Sequence, residues 1–299
     1  MFMKLNGVEI DDTFAELFPM WVSRVLVTAQ DEKWCFIAGR AATGFGVSII
    51  ASPAEAGIER TVPPEQTPDG RPGILLHFYH RDRRSLKAQL IARIGQCVLT
   101  CPTTAAYDGL ENAKRRLKVG SSLRYFADGH QKKDELQARK VWIIPVMEGM
   151  FVIQSTFGTM EAVAGGNLLI LSRDQSSGLK AAENAVEAIS KVSDVVLTFP
   201  GGICRSGSKV GSRKYKLGAS TNDAFCPTIR DKVEKTLLPP EAWSVYEIVI
   251  NGLTLQAVGG AMKAGLKAAA SSPGVIKITA ANYGGKLGPY KIALKELLQ

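Results

Sequence analysis

Gly73-Ile-Leu-Leu-His-Phe-Tyr-His-Arg-Asp-Arg-Arg-Ser-Leu-Lys87 and Gly166-Asn-Leu-Leu-Ile-Leu-Ser-Arg-Asp-Gln-Ser-Ser-Gly-Leu-Lys180 follow one pattern. Each opens with an apolar run typical of a strand, continues with an Arg-Asp pair and ends with Leu-Lys at the start of a predicted helix. The two helices are predicted over about 85–96 and about 176–193. A match of this length, with its parts in the same order, indicates an internal duplication.

A second matched block follows each predicted helix. Val98-Leu-Thr-Cys-Pro102 and Val196-Leu-Thr-Phe-Pro200 share their apolar and proline positions, and a glycine follows each block at the same distance. The Val-Leu-Thr triplets predict strands because β-branched and apolar residues favour pleated, half-buried surfaces. Each copy therefore reads strand–helix–strand.

Each half of the chain contains one further strand–helix–strand unit. In the first half, strands are predicted over 24–28 and 45–51, around a helix that Asp31 caps and that continues to about Ala42. In the second half, strands 245–250 and 275–279 flank a helix that runs from the cap Thr254 to about Ala270. The predicted fold class is α+β, with two ferredoxin-like (βαββαβ) lobes that arose by duplication and cover 1–145 and 146–299.

Composition limits the classes of partner and location. The chain has 299 residues, five cysteines without CxxC spacing, and a formal charge of +9. Without a long apolar segment or a leader-like start, it is expected to be cytoplasmic, with reduced thiols and no membrane partner. The surplus of positive charge suits nucleic acid, a membrane surface or polyanionic small molecules, although it also suits simple solubility.

Two common kinds of cofactor site have no support in the sequence. His77, His80 and His130 are too dispersed to resemble a zinc site. No GxGxxG motif follows a predicted strand, so a dinucleotide site is not indicated either. No metal is predicted.

A glycine-rich, basic segment at 200–216 is a candidate anion site. Glycines allow close backbone approach, and exposed N–H groups beside cations bind phosphate or carboxylate. A flexible basic surface loop explains the same composition equally well. The candidate residues of this segment are Gly201, Gly202, Arg205, Ser206, Ser208 and Lys209.

Glu247 interrupts an apolar strand, Val245-Tyr-Glu-Ile-Val-Ile250. The pattern alone favours a solvent-facing carboxylate, because antiparallel sheets often have one face exposed to solvent. A cleft position would instead raise its proton affinity and suit acid–base chemistry. Further polar candidates, which ordinary turns or strand ends would also explain, are Thr221, Asn222, Asn251 and Tyr283.

Several blocks, in order along the chain, resemble the formylmethanofuran:tetrahydromethanopterin formyltransferase family. The blocks are Pro53-Ala-Glu-Ala-Gly57, Thr67-Pro-Asp-Gly-Arg-Pro-Gly73, Gly95-Gln-Cys-Val-Leu-Thr100, Phe199-Pro-Gly-Gly202, Ser206-Gly-Ser-Lys-Val-Gly211, Ser220-Thr-Asn-Asp223, Val245-Tyr-Glu-Ile-Val-Ile-Asn-Gly-Leu253 and Asn282-Tyr-Gly-Gly-Lys-Leu-Gly288. The resemblance implies an acyltransferase without a prosthetic group, made of two ferredoxin-like lobes and assembled as a homotetramer. It also implies that Glu247 is the catalytic residue.

The implied reaction moves a formyl group reversibly between the amine of methanofuran and N5 of tetrahydromethanopterin, which are co-substrates. Archaeal relatives serve methanogenesis or its reversal, and bacterial relatives serve formaldehyde oxidation and associate with formylmethanofuran hydrolase or dehydrogenase subunits. The alternative function is a non-catalytic basic module, either nucleic-acid binding or the scaffold subunit of a formyltransferase/hydrolase complex. RNA binding is disfavoured because the aromatic RNP1 pattern is missing.

Overall fold

The computed structural model describes residues 3–298, which form a mixed α/β protein with few helices. Strands β1 to β17 cover, in chain order, Met3–Leu5, Val8–Ile10, Phe14–Thr28, Glu55–Val62, Gly73–His80, Ala105–Asp108, Arg115–Leu117, Lys132–Leu136, Arg139–Val146, Gly149–Gln154, Phe157–Ser172, Val195–Leu197, Lys209–Val210, Ala219–Ser220, Ser244–Gly252, Val275–Thr279 and Tyr290–Ala293. Helices α1 to α5 cover Glu32–Thr43, Arg83–Arg93, Gly120–Leu123, Gln175–Ile189 and Leu255–Ala270. Within the described range, no helix combines the length and apolarity that a membrane crossing requires.

Side-chain caps determine where the long helices begin. Asp31 accepts a hydrogen bond from the Trp34 N–H, and Thr254 accepts one from the Ala257 N–H. Each cap satisfies a backbone donor that the first helical turn leaves without a partner. Both predicted caps are therefore confirmed, and Asp82 and Asp174 of the two Arg-Asp pairs cap α2 and α4 in the same way.

The chain divides into two compact units, one of residues 20–162 and one formed by residues up to Pro19 with those from Val163 onward. In the unit of residues 20–162, four antiparallel strands lie in the order β4-β5-β3-β6, and β10 extends the sheet in parallel to β6. Helices α1 and α2 cover one face, where Leu76 and Phe78 pack against Ala38 and Leu90.

In the second unit, four antiparallel strands lie in the order β12-β15-β11-β16, and β2 extends the sheet in parallel to β16. Helices α4 and α5 cover one face, where Ile170 and Ile248 pack against Ala185 and Met262. Strand residues alternate between the two faces of a sheet. Val245 and Glu247 of β15 and Leu169 and Leu171 of β11 therefore point to the face that carries no helix.

Two of the predicted strands are wrong. Residues 45–51 form turns, with Phe45 at a positive φ of 52°, and the strand lies later, at β4. Residues 98–100 continue α2 through a wide π-type turn, in which the Leu99 N–H bonds to the Ile94 carbonyl at 2.8 Å. Helix α4 also ends at Ile189, earlier than predicted. The predicted lobe ranges, 1–145 and 146–299, stay a prediction.

Candidate active site

Glu247 lies on the helix-free face of the second unit. In the sheet register it stands opposite Leu169 of β11, and Leu169 stands opposite Thr279 of β16. Residues directly opposite each other share a face, so these three side chains form one row across the sheet. On the same face, Leu169 and Leu171 pack against Leu238, which belongs to the long segment 198–243. This segment therefore covers part of the helix-free face.

The backbone of Glu247 is held by Cys204, which belongs to the same segment. The Glu247 N–H donates to the Cys204 carbonyl at 2.9 Å, and the Cys204 N–H donates to the Glu247 carbonyl at 2.8 Å. The buried Cys204 thus fixes the start of the segment to the strand that carries the carboxylate.

Glu247 is half-buried, and its carboxylate has no compensating ion-pair or hydrogen-bond partner among residues 3–298. Burial removes water from around it and raises its pKa to about 7, from an ordinary 4.5. Near neutral pH it is therefore present in both the protonated and the ionised form. A group of this kind can accept a proton and return it within one turnover.

A pocket of about 520 Å³ opens on the same face. Four of the sequence candidates line it together: Ser208, Lys209, Asn222 and Tyr283. Its other walls are formed by Asp11, Thr13, Ala224, Phe225, Leu237, Lys277, Thr279, Ala280, Ala281 and Asn282. The pocket thus combines an apolar wall with several polar groups, as ligand sites commonly do.

Tyr283 connects this pocket to Glu247. Burial raises the pKa of the Tyr283 hydroxyl, and the negative charge of Glu247 raises it further, so the two groups lie within electrostatic reach. The Val210 backbone acts in the opposite direction and lowers the pKa of the same hydroxyl. The phenol keeps its proton at neutral pH and can donate it toward the pocket.

Lys209 is compensated within the chain. Its ammonium group forms an ion pair of 2.5 Å with Asp223, and both side chains are about one-quarter exposed. The hydrogen bond from Lys209 lowers the pKa of Asp223. Because Lys209 belongs to β13 and Asp223 follows β14, the pair braces the two-stranded ribbon beside the pocket.

The other sequence candidates do not line this pocket. Gly201 and Gly202 form a tight turn at positive φ, in which Gly202 packs against Val186. Arg205 and Ser206 are exposed beyond Cys204, and Thr221 is exposed beside Asn222.

Asn251 is fully buried, and its side-chain oxygen accepts a hydrogen bond from the Gly165 N–H at 3.1 Å. This contact ties β15 to β11, which is a structural role.

Sequence reasoning missed five polar residues in or beside the pocket. The Asn282 amide donates to the Thr13 hydroxyl at 3.0 Å, and Lys277 pairs with Asp11 at 2.6 Å. Glu16 is buried and accepts hydrogen bonds from the loop that contains Tyr283. Only Asn282 had a signal in the sequence, because it opens a polar Gly-Gly segment. The partners of Glu16 are too distant along the chain for any local pattern to reveal them.

The pocket contains no obvious metal-ligand set. Within residues 3–298, no three His, Cys, Asp or Glu side chains converge closely enough to hold a metal ion.

Two family models together match almost the whole chain. The model described as formylmethanofuran-tetrahydromethanopterin formyltransferase matches residues 3–146, and the model described as "FTR, proximal lobe" matches residues 149–297. The chain is 52% identical over 296 residues to the formylmethanofuran–tetrahydromethanopterin formyltransferase of Archaeoglobus fulgidus, covering 99% of this chain and all of the relative. It is 53% identical over 299 residues to the enzyme of the same name from Methanopyrus kandleri, covering 99% and 100%.

Two solved structures share the fold closely. The formylmethanofuran:tetrahydromethanopterin formyltransferase of Methanosarcina barkeri superposes with a TM-score of 0.96 at 50% identity, over 99% of this chain and 100% of the other. A chain of the formyltransferase/hydrolase complex of Methylorubrum extorquens, solved with methylofuran, superposes with a TM-score of 0.96 at 44% identity, over 100% and 99%.

Proposed function

This chain belongs to the formylmethanofuran–tetrahydromethanopterin formyltransferase family and transfers a formyl group between those two carriers, and from that premise we propose that Glu247 is its catalytic acid–base residue. The observation that carries the proposal is the uncompensated, desolvated Glu247 carboxyl, whose pKa burial raises to about 7. Perturbed carboxyl groups beside a pocket are typical of catalytic sites. The non-catalytic alternative is not favoured, because full-length relatives are formyltransferases.

In the proposed mechanism, one proton moves while one C–N bond replaces another. N5 of tetrahydromethanopterin attacks the formyl carbon of formylmethanofuran, and the carbonyl oxygen becomes an oxyanion. Ionised Glu247 accepts the proton that N5 loses, and the resulting acid delivers it to the methanofuran nitrogen as the old C–N bond breaks. Glu247 therefore returns to its starting form, and the reverse transfer uses the same steps.

The Tyr283 hydroxyl is our candidate for stabilising the oxyanion. Burial raises the pKa of this hydroxyl, so it keeps its proton at neutral pH and can donate it to a substrate oxygen. Donors that are already in place when charge develops lower the barrier without reorganisation. Ser208 and Asn222 supply further donors on the same pocket wall.

The exposed cations of the segment 198–243 are proposed to attract the anionic tails of the carriers. Arg205, Lys214 and Lys216 are exposed, and none forms an ion pair with another described residue. Lys209, by contrast, is paired with Asp223 and is better suited to a positioning role. Long-range attraction by the unpaired cations raises the rate at which polyanionic substrates arrive.

We further propose that the chain consists of two ferredoxin-like lobes, 1–145 and 146–299, that arose by duplication. Support comes from the strand orders β4-β5-β3-β6 and β12-β15-β11-β16, in which β5 corresponds to β15 and β3 to β11. The matched sequence blocks at 73–87 and 166–180 instead align β5 with β11, so those blocks do not occupy corresponding positions in the two sheets. The compact units differ from these ranges at their ends. Residues up to Pro19 group with the second unit, and residues 146–162 group with the first.

Assembly with hydrolase subunits is proposed from the Methylorubrum extorquens relative, which was solved as part of a formyltransferase/hydrolase complex. A homotetramer of this chain alone is the second proposed assembly. Light scattering of the purified chain, with and without co-expressed hydrolase subunits, distinguishes the two.

The five cysteine side chains are all free thiols, which supports a cytoplasmic location.

The test of the catalytic assignment is Glu247→Gln, measured by formation of 5-formyltetrahydromethanopterin. We expect kcat to fall about 10²- to 10⁴-fold, which is the usual contribution of one acid–base group. Glu183→Gln is the matched control, because Glu183 is exposed on α4 and makes no contact with the pocket. An unchanged kcat in Glu247→Gln would reject the assignment.

A further inference from the structure

Glu16 in β3 is a buried carboxylate that binds four backbone N–H groups of one loop. Its side chain is close to fully buried, since the residue is 3% exposed. One oxygen accepts from Tyr283 at 2.8 Å and from Gly285 at 3.1 Å. The other accepts from Gly288 at 2.8 Å and also from Leu287. We call residues 282–288, which connect β16 to β17, the Tyr283 loop.

Only an ionised carboxylate suits this arrangement. Each of its two oxygens can accept two hydrogen bonds, and it has no proton to direct at the donors. Burial alone would raise the pKa of Glu16, but the four backbone hydrogen bonds lower it below the ordinary value. Glu16 therefore stays ionised at neutral pH and keeps all four of its acceptor positions.

The Tyr283 loop depends on this carboxylate because it satisfies few of its own backbone donors. Gly284 and Gly285 have φ angles of 68° and 78°, which places them in the left-handed region that favours glycine. Within the loop, the Gly284 N–H finds the Asn282 side-chain oxygen at 3.1 Å. The four neighbouring donors converge on Glu16 instead. A loop held in this way is ordered by one distant side chain.

The loop carries Tyr283 to the wall of the pocket of about 520 Å³, which opens on the same sheet face as Glu247. Tyr283 lines the pocket and lies within electrostatic reach of Glu247. The first N–H that Glu16 holds is that of Tyr283 itself. A shift of the loop backbone would therefore move the phenol directly.

We propose that Glu16 is a positioning residue for formyl transfer: by binding the four N–H groups of the Tyr283 loop, it fixes Tyr283 beside Glu247. This inference rests on the proposed role of Glu247. Glu16 does not touch the reacting atoms and acts through Tyr283. Misplacement of a reacting or stabilising group by about 1 Å can cost about 10²-fold in rate, so the positioning is large enough to measure.

The primary test is Glu16→Gln, with Glu183→Gln as the control for the same chemical change at an exposed site. Glutamine keeps the size of the side chain, but its NH₂ group points donors at donors, so at least two loop N–H groups lose their acceptor. We expect amide hydrogen exchange at 283–288 to accelerate about 10-fold or more, while exchange in α5 stays unchanged. We expect kcat to fall about 10- to 100-fold.

A double-mutant cycle separates positioning from a general structural role. If Glu16 acts through Tyr283, Glu16→Gln will cost less than about 3-fold in kcat when Tyr283→Phe is already present. The full loss of kcat in that background would overturn the proposal, and so would unchanged exchange at 283–288 in Glu16→Gln.

Two further measurements keep the outcomes distinct. If Glu16→Gln does not fold, Glu16→Asp preserves the charge, and its shorter side chain is expected to give a smaller acceleration of exchange at the same amides. Its failure to change loop exchange would contradict the proposal. Glu247→Gln should leave exchange at 283–288 as in the parent. An unchanged kcat in Glu247→Gln would therefore reject the catalytic assignment while the exchange data still report on Glu16.

Discussion

Glu59 is buried and Glu247 is half-buried, yet the pKa values of the two carboxyl groups move in opposite directions. Burial acts on both carboxyl groups in the direction of a higher pKa. At Glu59, hydrogen bonds from His77 and Arg24 reverse the effect and lower its pKa to about 2. At Glu247 nothing opposes burial, and its pKa rises to about 7. Compensation therefore decides whether a buried acid is a structural ion or a proton carrier.

The two units also differ at the corresponding place in their sheets. Leu75 and Glu247 each lie seven residues before the cap of the following helix, which is Asp82 or Thr254. The Leu75 side chain is buried among neighbours that include Tyr107. One unit thus uses its helix-free face for packing, and the other uses the same face for a pocket.

The largest effect is expected from Glu59→Gln, which removes the compensated charge. The Arg24 guanidinium lies 2.7 Å from one Glu59 oxygen, and His77 lies 2.7 Å from the same oxygen. Removing the acid takes a buried countercharge away from this partly buried cation and from His77, so the free energy of unfolding should fall by about 3–5 kcal/mol. Urea unfolding measures the loss, and Glu65→Gln on the surface of the same unit is the control.

The pH dependence of that loss follows from the lowered pKa of Glu59. A carboxyl group with a lowered pKa in the folded state stabilises the fold above its ordinary pKa of 4.5. That stability disappears as the pH falls through about 2. The difference between parent and Glu59→Gln should therefore be constant near neutral pH and shrink below pH 4.5. A difference that is independent of pH down to 2 would contradict the ion-pair account.

Glu247→Gln should have the opposite effect on stability. The pKa of Glu247 is raised in the folded state, so the parent loses stability as the pH rises from 4.5 to about 7. Removing the acid should increase the free energy of unfolding by about 2–3 kcal/mol at pH 8, relative to the change at pH 4. Urea unfolding at the two pH values tests this. Equal changes at both would show that Glu247 is solvated like a surface acid.

Local chemistry made part of this fold predictable. The caps Asp31 and Thr254 follow from side chains that bond their own helix, and Glu247 stood out because it breaks an apolar strand. The triplets at 98–100 and 196–198 could not be distinguished in this way. Both read Val-Leu-Thr, but at the first the chain is still turning, as the Leu99 N–H bond to Ile94 shows.

Long-range contacts explain what the sequence concealed. Glu16 meets N–H donors more than 260 residues away, and backbone donors carry no sequence signature. The same limit applies to Asn251, which is a candidate binding residue in the sequence because it is polar and ends a strand. Its partner is the Gly165 backbone, which only the pairing of β15 with β11 brings near.

The smallest effect is expected at the rim of the pocket. Lys209→Gln removes the ion pair with Asp223 and a cation on the pocket wall. Because partly exposed pairs contribute about 1 kcal/mol or less, we expect KM for the carriers to rise about 3- to 5-fold with kcat little changed. The change should weaken at high salt. Lys191→Gln on the surface after α4 is the control, and an equal rise in KM there would assign the effect to net charge.

The pH dependence of kcat/KM in parent and Glu247→Gln tests the central claim most directly, because that ratio reports the ionisation of the free enzyme. The account predicts an acid limb with a pKa of about 7 in the parent and its loss in the variant. An acid limb that persists in Glu247→Gln, or one that lies near 4.5 in the parent, would contradict the assignment of Glu247 as the residue that carries the proton.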